Sequence, residues 1–305
     1  MPRSHHSLAP AATRQELLAQ ARRFHAKKHL GQHFLVEPET LARIAGALLA
    51  VPGDRVLEIG PGLGFLTGYL AATGARVTAV ELDSACVERL RKMALDNLAV
   101  VQADFLQYDV RQLLDPSQPG AGLKVAGNVP YQITSRIVAR LFGEIGAPSP
   151  WLAALDRVVL TVQLEVARRF VATPGSRDYS QITLLTNYYS RPSLLEVVPA
   201  ESFFPVPQVD SAVVAFVPHE APPVTCGNPR LLRQIIQAGF NQRRKMLRNN
   251  LSFLALGHDE LLAVFKGLNF DPQVRAERLS LAQFAMLTDA VTARTGSSRA
   301  ASKDA

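Results

Sequence analysis

The chain has 305 residues, 48% of them hydrophobic and 19% charged, which is typical of a folded protein with a sizeable core rather than a disordered chain. Its 33 Lys and Arg exceed its 26 Asp and Glu, and the net charge of +7 is compatible with a polyanionic partner. Cys86 and Cys226 belong to no CxxC pair or Cys/His cluster, so neither a metal site nor a disulfide framework is expected. No apolar run reaches membrane-spanning length and no secretory signal is visible, so we expect a cytoplasmic protein without a membrane partner.

Most of the chain alternates short apolar segments with helical patterns, which favours parallel strands in an α/β sheet. Residues 1–21 are polar and alanine-rich and are predicted to form a flexible extension. A helix is predicted over 38–50, with Pro38 at its start. The predicted strands then lie at 55–59, 75–80, 98–102 and 123–126, and the predicted helices at 84–95, 134–143 and 161–171.

The rest of the chain changes character. Two β-rich runs, 194–198 and 212–217, are separated by a proline-rich loop and predict a hairpin. After a linker at 220–223 the pattern is helical to about residue 292. These patterns predict the following organisation: a flexible extension over 1–21, a Rossmann-like α/β domain over 22–219, an all-helical domain over 220–292 and a disordered tail over 293–305.

A glycine-rich turn, EIGPGLG at 58–64, connects the first strand of this sheet to a helix. Glycines such as Gly60 let the backbone turn sharply and approach a bound nucleoside. Glu81 ends the next strand, where a carboxylate can accept the ribose hydroxyls, and Asp104 follows the third, where it can reach an adenine amine. The acidic Glu58 disfavours a phosphate and favours a cationic ligand such as a sulfonium. An ordinary strand–helix turn is the alternative interpretation.

The segment NVPY at 128–131 follows the fourth strand and is a candidate catalytic turn. Adenine N6 is a poor nucleophile because its lone pair is delocalised into the ring. Two acceptors on its hydrogens, the side-chain oxygen of Asn128 and the backbone carbonyl of Pro130, would direct that lone pair towards a methyl donor. Tyr131 offers a flat face on which an extruded base can stack. A β-turn without chemistry is the alternative.

These residues, in this order, resemble the ribosomal RNA adenine N6,N6-dimethyltransferases, and the resemblance covers roughly residues 22 to 290. The matching motifs are LGQHFL at 30–35, EIGPGLG at 58–64, ELD at 81–83, GNVPY at 127–131, FFPVPQVDS at 203–211 and FNQRRK at 240–245. The chain departs from the family pattern at Val129, where Leu is usual, and at Gln208, where Lys is usual. The resemblance implies a class I methyltransferase sheet with a C-terminal helical domain.

The resemblance also implies the ligands and their contacts. The cofactor would be S-adenosyl-L-methionine, contacted by His33, Leu35, Gly60, Glu81, Asp104 and Asn128; the family uses Asn or His at the position of His33. Phe203 would be a second stacking aromatic, with the target adenine between it and Tyr131. The substrate would be two adjacent adenines in a hairpin loop near the 3′ end of 16S rRNA, in a precursor of the small ribosomal subunit. A monomer is expected on the same ground.

A basic segment precedes the C-terminal end of the chain. Six basic residues and no acidic one lie between residues 222 and 258, and the candidate RNA-binding residues among them are Arg243, Arg244, Lys245 and Arg248. Four of the six, Arg230, Arg233, Arg244 and Arg248, have the spacing of one helical face, and Leu232, Ile235, Ile236, Gly239 and Leu247 the spacing of another. A solvated surface helix is the alternative. The basic segment 22–29 is a second candidate phosphate contact.

Three other functions remain to be distinguished. A large-subunit rRNA adenine N6-methyltransferase of the macrolide-resistance type shares most of these motifs. A non-catalytic nucleic-acid-binding factor on the same fold would be expected to lose Asn128, Tyr131 or the turn at Gly60, and all three are present. An NAD-dependent oxidoreductase lacks support because there is no GxGxxG motif.

Overall fold

The computed structural model describes residues 12–114, 122–254 and 256–301, with side chains described as far as residue 295. The chain divides into two compact units. The first contains Met1–Leu141, Pro150–Ala167 and Pro192–Pro218, and the second contains Phe142–Ser149, Arg168–Arg191 and His219–Ala305. This division differs from the predicted ranges 22–219 and 220–292, because two segments within the first range group with the C-terminal helices.

The described residues form eleven strands, ten α-helices and seven short 3₁₀-helices. The strands are β1 (Phe34–Leu35), β2 (Arg55–Ile59), β3 (Arg76–Glu81), β4 (Leu98–Gln102), β5 (Leu123–Asn128), β6 (Gly143–Glu144), β7 (Ala147–Pro148), β8 (Leu155–Gln163), β9 (Ser190–Val198), β10 (Phe203–Phe204) and β11 (Ser211–Pro218). The helices are α1 (Arg14–Arg22), α2 (Pro38–Ala47), α3 (Phe65–Ala71), α4 (Ser84–Arg91), α5 (Thr134–Phe142), α6 (Leu164–Phe170), α7 (Gln181–Tyr189), α8 (Pro229–Asn241), α9 (His258–Gly267) and α10 (Leu281–Ala301).

The main sheet has seven strands in the order β4-β3-β2-β5-β8-β11-β9. Strands β2, β3, β4, β5 and β8 run parallel, and β11 pairs antiparallel with β8. All five residues of β2 are buried, as expected for a central strand covered on both faces. The parallel strands all end at one edge of the sheet. That edge therefore holds the turn that follows β2 and also the side chains of Glu81, Asp104 and Asn128. The predicted α/β fold and its first four parallel strands are confirmed.

Helix α1 corrects the expectation of a flexible extension over 1–21. Thr13 caps the helix and forms a reciprocal capping box with Glu16. Leu17 and Ala21, one turn apart, are buried in the core of the first unit, so the helix has an apolar stripe to bury. The expectation fails for residues 14–21, and residues 1–11 lie outside the described part of the chain.

The predicted helix over 161–171 is wrong in its first residues. Strand β8 extends to Gln163, and α6 begins only at Leu164. The run of β-branched Val158, Val159, Thr161 and Val162 fits the buried middle of a sheet. Its apolar residues are continuous, so their spacing alone does not separate a strand from a buried helix.

The second unit is mainly helical, and α8 contacts α7 and α10 within it. The predicted apolar face of α8 is buried at Leu232, Ile235, Ile236 and Gly239. A Cβ on Gly239 would lie 2.8 Å from the Cβ of Ala276, so the close approach of the backbone requires glycine here. Helix α10 continues to Ala301, so the predicted tail over 293–305 is wrong as far as residue 301. Its last residues, GSSRAA, contain no proline, and nothing in them removes a helical N–H.

Within the described residues, no helix is long and apolar enough to cross a membrane.

Candidate active site

A cavity in the first unit opens at the carboxyl edge of the parallel strands. Its lining comes from the segment before β1, the turn after β2, the ends of β3, β4 and β5, and the start of α5. Residues from these elements include His29, His33, Leu35, Glu58, Gly60, Glu81, Asp104, Asn128, Val129, Pro130, Tyr131 and Arg136. The fold therefore brings together every predicted cofactor-binding residue.

The glycine-rich turn requires the backbone conformation that glycine permits. Gly60, Gly62 and Gly64 have φ values of 64°, 56° and 82°, in the left-handed region that side chains disfavour. A Cβ on Gly62 would also lie 2.9 Å from the ring of Phe34. The N–H of Gly62 donates to Oε2 of Glu81 at 2.9 Å, so the turn after β2 is fastened to the end of β3.

Two carboxylates hold defined positions beside this turn. Burial raises the pKa of Glu81, and the N–H groups of Asp83 and Gly62, at 2.8 and 2.9 Å, oppose that shift by donating to its oxygens. Asp104 accepts the N–H of Leu106 at 2.9 Å. Each carboxylate oxygen has lone pairs beyond those used here, so both side chains can accept further hydrogens from a ligand.

Glu58 does not act as the sequence suggested. Its side chain is buried, and the hydroxyl of Thr67 donates to Oε2 at 2.6 Å. Burial raises the pKa of Glu58 to about 8 against the hydrogen bond from Thr67, with a smaller contribution from the charge of Glu81. At neutral pH the carboxyl is therefore mainly protonated. Its negative charge is not the reason that the cavity would select a cationic ligand.

The turn after β5 presents a fixed acceptor to the cavity. The side-chain amide of Asn128 donates through Nδ2 to the backbone carbonyl of His33 at 2.7 Å. This contact sets the orientation of the amide, and its Oδ1 receives no hydrogen bond from any residue in the described ranges. Asn128 thus has its donor engaged by the protein and its acceptor available.

The carbonyl of Pro130 was predicted to be the second acceptor, and the geometry corrects this. That oxygen already accepts the N–H of Ile133 at 3.2 Å and the hydroxyl of Thr134 at 3.3 Å, which occupy its two lone pairs. Val129, one residue earlier, also lines the cavity, and no donor in the described chain reaches its carbonyl. The sequence pattern could not separate the two because both peptides lie in the same turn.

Two rings lie together at this turn. The imidazole of His33 and the phenol of Tyr131 are 5.7 Å apart between centroids, with 13° between their planes. Phe203, predicted as a second stacking aromatic, is only 1% exposed and packs in the core of the first unit. It pairs with Leu35 across the β1–β10 ribbon, and it does not line the cavity. In this geometry Phe203 supports the wall behind Leu35 rather than forming one side of a base slot.

The segment before β1 is fastened to the cavity by a buried carboxylate. Asp83 accepts Nζ of Lys27 at 2.6 Å and Nε2 of Gln32 at 2.9 Å. Burial raises the pKa of Asp83, but these hydrogen bonds outweigh it, and the net pKa lies below the usual value. Sequence reasoning missed this contact and also missed Arg136, an exposed residue that is the only Lys or Arg in the described cavity lining.

The candidate RNA-binding residues of the second unit fall into two groups. Arg243 donates to Glu277 at 2.9 Å and to the carbonyl of Arg177 at 2.6 Å, so its guanidinium has a structural role. Arg248 is partly buried and contacts Sδ of Met246. Arg244 and Lys245 are exposed.

The predicted basic face of a single helix is also incorrect. Helix α8 ends at Asn241, before Arg244 and Arg248, and Arg233 pairs with Glu144. The sequence pattern could not predict these two acidic partners, because Glu144 and Glu277 lie far from the basic segment along the chain.

The comparisons with known proteins identify the family. The sequence profile described as "Ribosomal RNA adenine dimethylase" matches residues 23–292. The chain therefore belongs to the ribosomal RNA adenine dimethylase family. A protein of Acaryochloris marina called "Ribosomal RNA small subunit methyltransferase A" is 41% identical over 87% of this chain and 97% of that relative. A protein of Lachnoclostridium phytofermentans with the same name is 36% identical over 88% and 92%.

Two solved structures share the fold. The 23S rRNA methyltransferase ErmE has a TM-score of 0.65 and 26% identity, over 85% of this chain and 99% of that one. A dimethyladenosine transferase from Plasmodium falciparum has a TM-score of 0.68 and 24% identity, over 84% and 96%.

Proposed function

We propose that the protein transfers methyl groups from S-adenosyl-L-methionine to N6 of two adjacent adenines in a hairpin loop of 16S rRNA, near its 3′ end, during assembly of the small ribosomal subunit. Each adenine would become N6,N6-dimethyladenosine, and the protein would act as a monomer. Membership of the adenine dimethylase family supports the reaction. The names of the relatives at 36–41% identity support the small-subunit substrate.

The cavity fits the cofactor in its acceptors. A Cβ on Gly62 would lie 2.9 Å from the ring of Phe34, so glycine lets the turn pack closely on that ring. Glu81 would accept the ribose hydroxyls, Asp104 would accept the adenine amine, and Gly60, His33 and Leu35 would complete the walls. Bound S-adenosyl-L-methionine supplies a methyl group on an electrophilic sulfonium.

The chain's own contribution is to orient the adenine amine. We assign Oδ1 of Asn128 and the carbonyl of Val129 as the two acceptors for the N6 hydrogens. Accepting both hydrogens draws the nitrogen lone pair out of the ring and towards the methyl group. No general base is needed before transfer, because positioning and hydrogen bonding carry the rate. The bond from N6 to the methyl group would form as the sulfur–methyl bond breaks, and the methylated amine would then lose one proton to solvent. Tyr131 would hold the extruded base by stacking.

One observation carries this assignment: Nδ2 of Asn128 is bound to the carbonyl of His33, at 2.7 Å. If the side-chain amide of Asn128 could rotate by 180°, its N–H group would face the adenine N6 amine about half of the time. Two hydrogen-bond donors would then face each other and no hydrogen bond would form. The His33 contact removes that alternative, so the site is prepared for an amine before the substrate arrives.

A second methyl transfer makes a specific demand on this site. After the first transfer N6 has one hydrogen left, so only one of the two acceptors can be satisfied. The Asn128 amide and the Val129 carbonyl would then share that hydrogen in turn, and the product methyl group must lie against an acceptor. We therefore expect the second transfer to be slower than the first, with monomethyladenosine detectable at early times.

Basic residues lie where RNA would approach the first unit. Arg136 lies at the cavity lining, and the exposed Arg22, Arg23 and Lys28 belong to the segment that leads to it. In the second unit, Arg244 and Lys245 are the exposed cations that we assign to phosphate contacts. We leave Arg243 out of this assignment because its guanidinium pairs with Glu277.

The test is to supply labelled S-adenosyl-L-methionine with unmethylated small-subunit particles in one reaction and unmethylated large-subunit RNA in another. Label on small-subunit RNA alone is the expected result. Label on large-subunit RNA alone would place the chain with the macrolide-resistance type of enzyme. Binding of RNA without any transfer would favour a non-catalytic factor.

A further inference from the structure

The segment 205–211, which leads from β10 into the first residue of β11, contacts both the His33 and the Tyr131 ring. The carbonyl of Pro205 lies 2.7 Å from Nδ1 of His33, and because a carbonyl can only accept, Nδ1 carries the hydrogen. The hydroxyl of Ser211 lies 2.6 Å from the phenol oxygen of Tyr131. The two stacked rings are thus each held at their polar atom by one short stretch of chain, residues 205–211.

Ser211 is a fixed point in this arrangement. It is fully buried, and it begins β11 in register with Gln163 of β8. The preceding residue, Asp210, accepts the N–H of Leu164 through its backbone and the N–H of Ala200 through its side chain, each at 3.0 Å. Because its backbone is held on both sides, Ser211 offers the phenol a partner on a fixed stretch of main chain.

A tyrosine side chain has two torsions, and its phenol oxygen lies on the axis of the second. A contact at that oxygen therefore restrains the first torsion, which sets where the ring lies. Tyr131 begins a short 3₁₀-helix, Tyr131–Ile133, directly after the turn, so the packing of a longer helix or a strand does not settle this torsion. The Ser211 hydroxyl supplies that restraint, and the imidazole of His33, 13° from parallel, packs beside the plane of the ring. Burial raises the pKa of Tyr131, so the phenol keeps its proton and remains a hydrogen-bonding partner.

We propose that Ser211 is a positioning residue for methyl transfer: its hydroxyl binds the phenol of Tyr131 and fixes the position of the ring on which the target adenine stacks. The inference rests on the stacking role assigned to Tyr131 in the proposed function. Under this proposal the segment 205–211 positions the stacking ring, whereas Phe203 is buried in the core and does not contact the base. It also implies that Tyr131 needs its hydroxyl for orientation and not for chemistry.

A double-mutant cycle tests this proposal. Ser211→Ala and Tyr131→Phe each remove one side of the contact and keep the ring. Each is expected to lower kcat/KM for unmethylated small-subunit particles about fivefold, the effect of one net hydrogen bond. The double variant is expected to match the single variants, because the same contact is lost only once. The affinity for S-adenosyl-L-methionine is expected to change less than twofold.

Ser190→Ala is the matched control. Ser190 also begins a strand, is fully buried, and donates its hydroxyl to the carbonyl of Thr186 at 2.8 Å, in the second unit. If loss of any buried serine hydroxyl lowered kcat/KM equally, the effect would be one of general stability and the proposal would be overturned. Thermal unfolding of all variants verifies that they are folded.

Two other results have distinct meanings. If the effects of Ser211→Ala and Tyr131→Phe multiply in the double variant, the two hydroxyls act separately and the inference is wrong. Tyr131→Ala tests the stacking role by itself, and full activity in that variant would refute the assignment in the proposed function. Loss of activity in Tyr131→Ala together with multiplying effects would overturn the inference alone.

Discussion

Gly127 lies in β5 directly before Asn128, and its substitution by alanine tests how finely that residue must be placed. A Cβ on Gly127 would lie 2.6 Å from the carbonyl oxygen of Ile59 and 3.1 Å from the side chain of Val129. The first distance is roughly 0.8 Å short of ordinary contact, and its partner is backbone in the adjacent central strand, where packing is dense. The end of β5 must therefore move away from the turn at Gly60.

The size of the effect follows from this displacement. Overpacking a buried site costs about 1–3 kcal/mol of stability. A displacement near 1 Å at a reacting group lowers turnover about 100-fold, which corresponds to about 2.7 kcal/mol in the activation free energy. Gly127→Ala should therefore remain folded, bind S-adenosyl-L-methionine within a few fold of the wild type, and methylate RNA about 100 times more slowly.

The assay is single-turnover methyl transfer at saturating cofactor, alongside urea unfolding. Gly46→Ala is the control, because Gly46 is an exposed residue in α2 with nothing within 4 Å of an added Cβ. That substitution should stabilise the helix by up to about 1 kcal/mol and leave turnover unchanged. A folded Gly127→Ala protein with wild-type turnover would refute the claim that the register of Asn128 against β2 limits the rate.

Four further substitutions test other contacts. Asn128→Ala should lower turnover at least about 100-fold while cofactor affinity changes only a few fold, as measured by single-turnover transfer and calorimetry; unaltered turnover would remove Asn128 from the mechanism. Glu58 has a folded pKa of about 8 against an ordinary 4.5, so the native state keeps a proton that the unfolded state releases, and stability falls as pH rises through this window. Glu58→Gln should abolish that fall, on the order of 4 kcal/mol, in unfolding measured at pH 5 and pH 9, and an unchanged pH dependence would contradict the assignment. Arg243→Ala should lower the free energy of unfolding by about 1 kcal/mol, because Glu277 loses its partner. This value is reduced to allow for the 39% exposure of the Arg243 side chain. Arg244→Ala should leave stability unchanged and reduce the salt dependence of RNA binding by about one phosphate contact. If Arg244→Ala instead lowered stability and Arg243→Ala reduced the salt dependence, Arg243 would be the phosphate contact and Arg244 the structural residue.

The central part of the site could be predicted because one rule of topology governs it. Parallel strands end at a common edge, so polar residues that follow successive apolar strands meet without any knowledge of long-range contacts. This rule predicts that Gly60, Glu81, Asp104 and Asn128 lie at one edge of the sheet, and all four line the cavity there. The local spacing of glycines and the position of each strand's end contain all the information that this inference needs.

Other features depend on pairings between segments that are far apart in sequence. The place of His33 beside Asn128 depends on the ribbon between β1 and β10, which joins residues about 170 positions apart. Arg243 was assigned to RNA because its neighbours along the chain are basic, while its partner Glu277 lies in a different segment. No periodicity or composition records such partners.

Strand β8 illustrates a second kind of failure. Its central residues, 158–162, are all buried, so the strand lacks the alternation that identifies a half-exposed strand. Its β-branched residues were the available signal, and the helical pattern that follows obscured them. The error did not affect the site, because Asn128 is placed by β5 and by the turn after it.

The most direct test of the account is to identify the product on unmethylated small-subunit particles by mass spectrometry of the digested nucleosides. The account predicts N6,N6-dimethyladenosine from the wild type, with monomethyladenosine earlier in the reaction, and neither from Asn128→Ala. A methyl group on a ring nitrogen or a ribose hydroxyl, or a dimethylated product from Asn128→Ala, would contradict the claim that Asn128 orients the N6 amine for transfer.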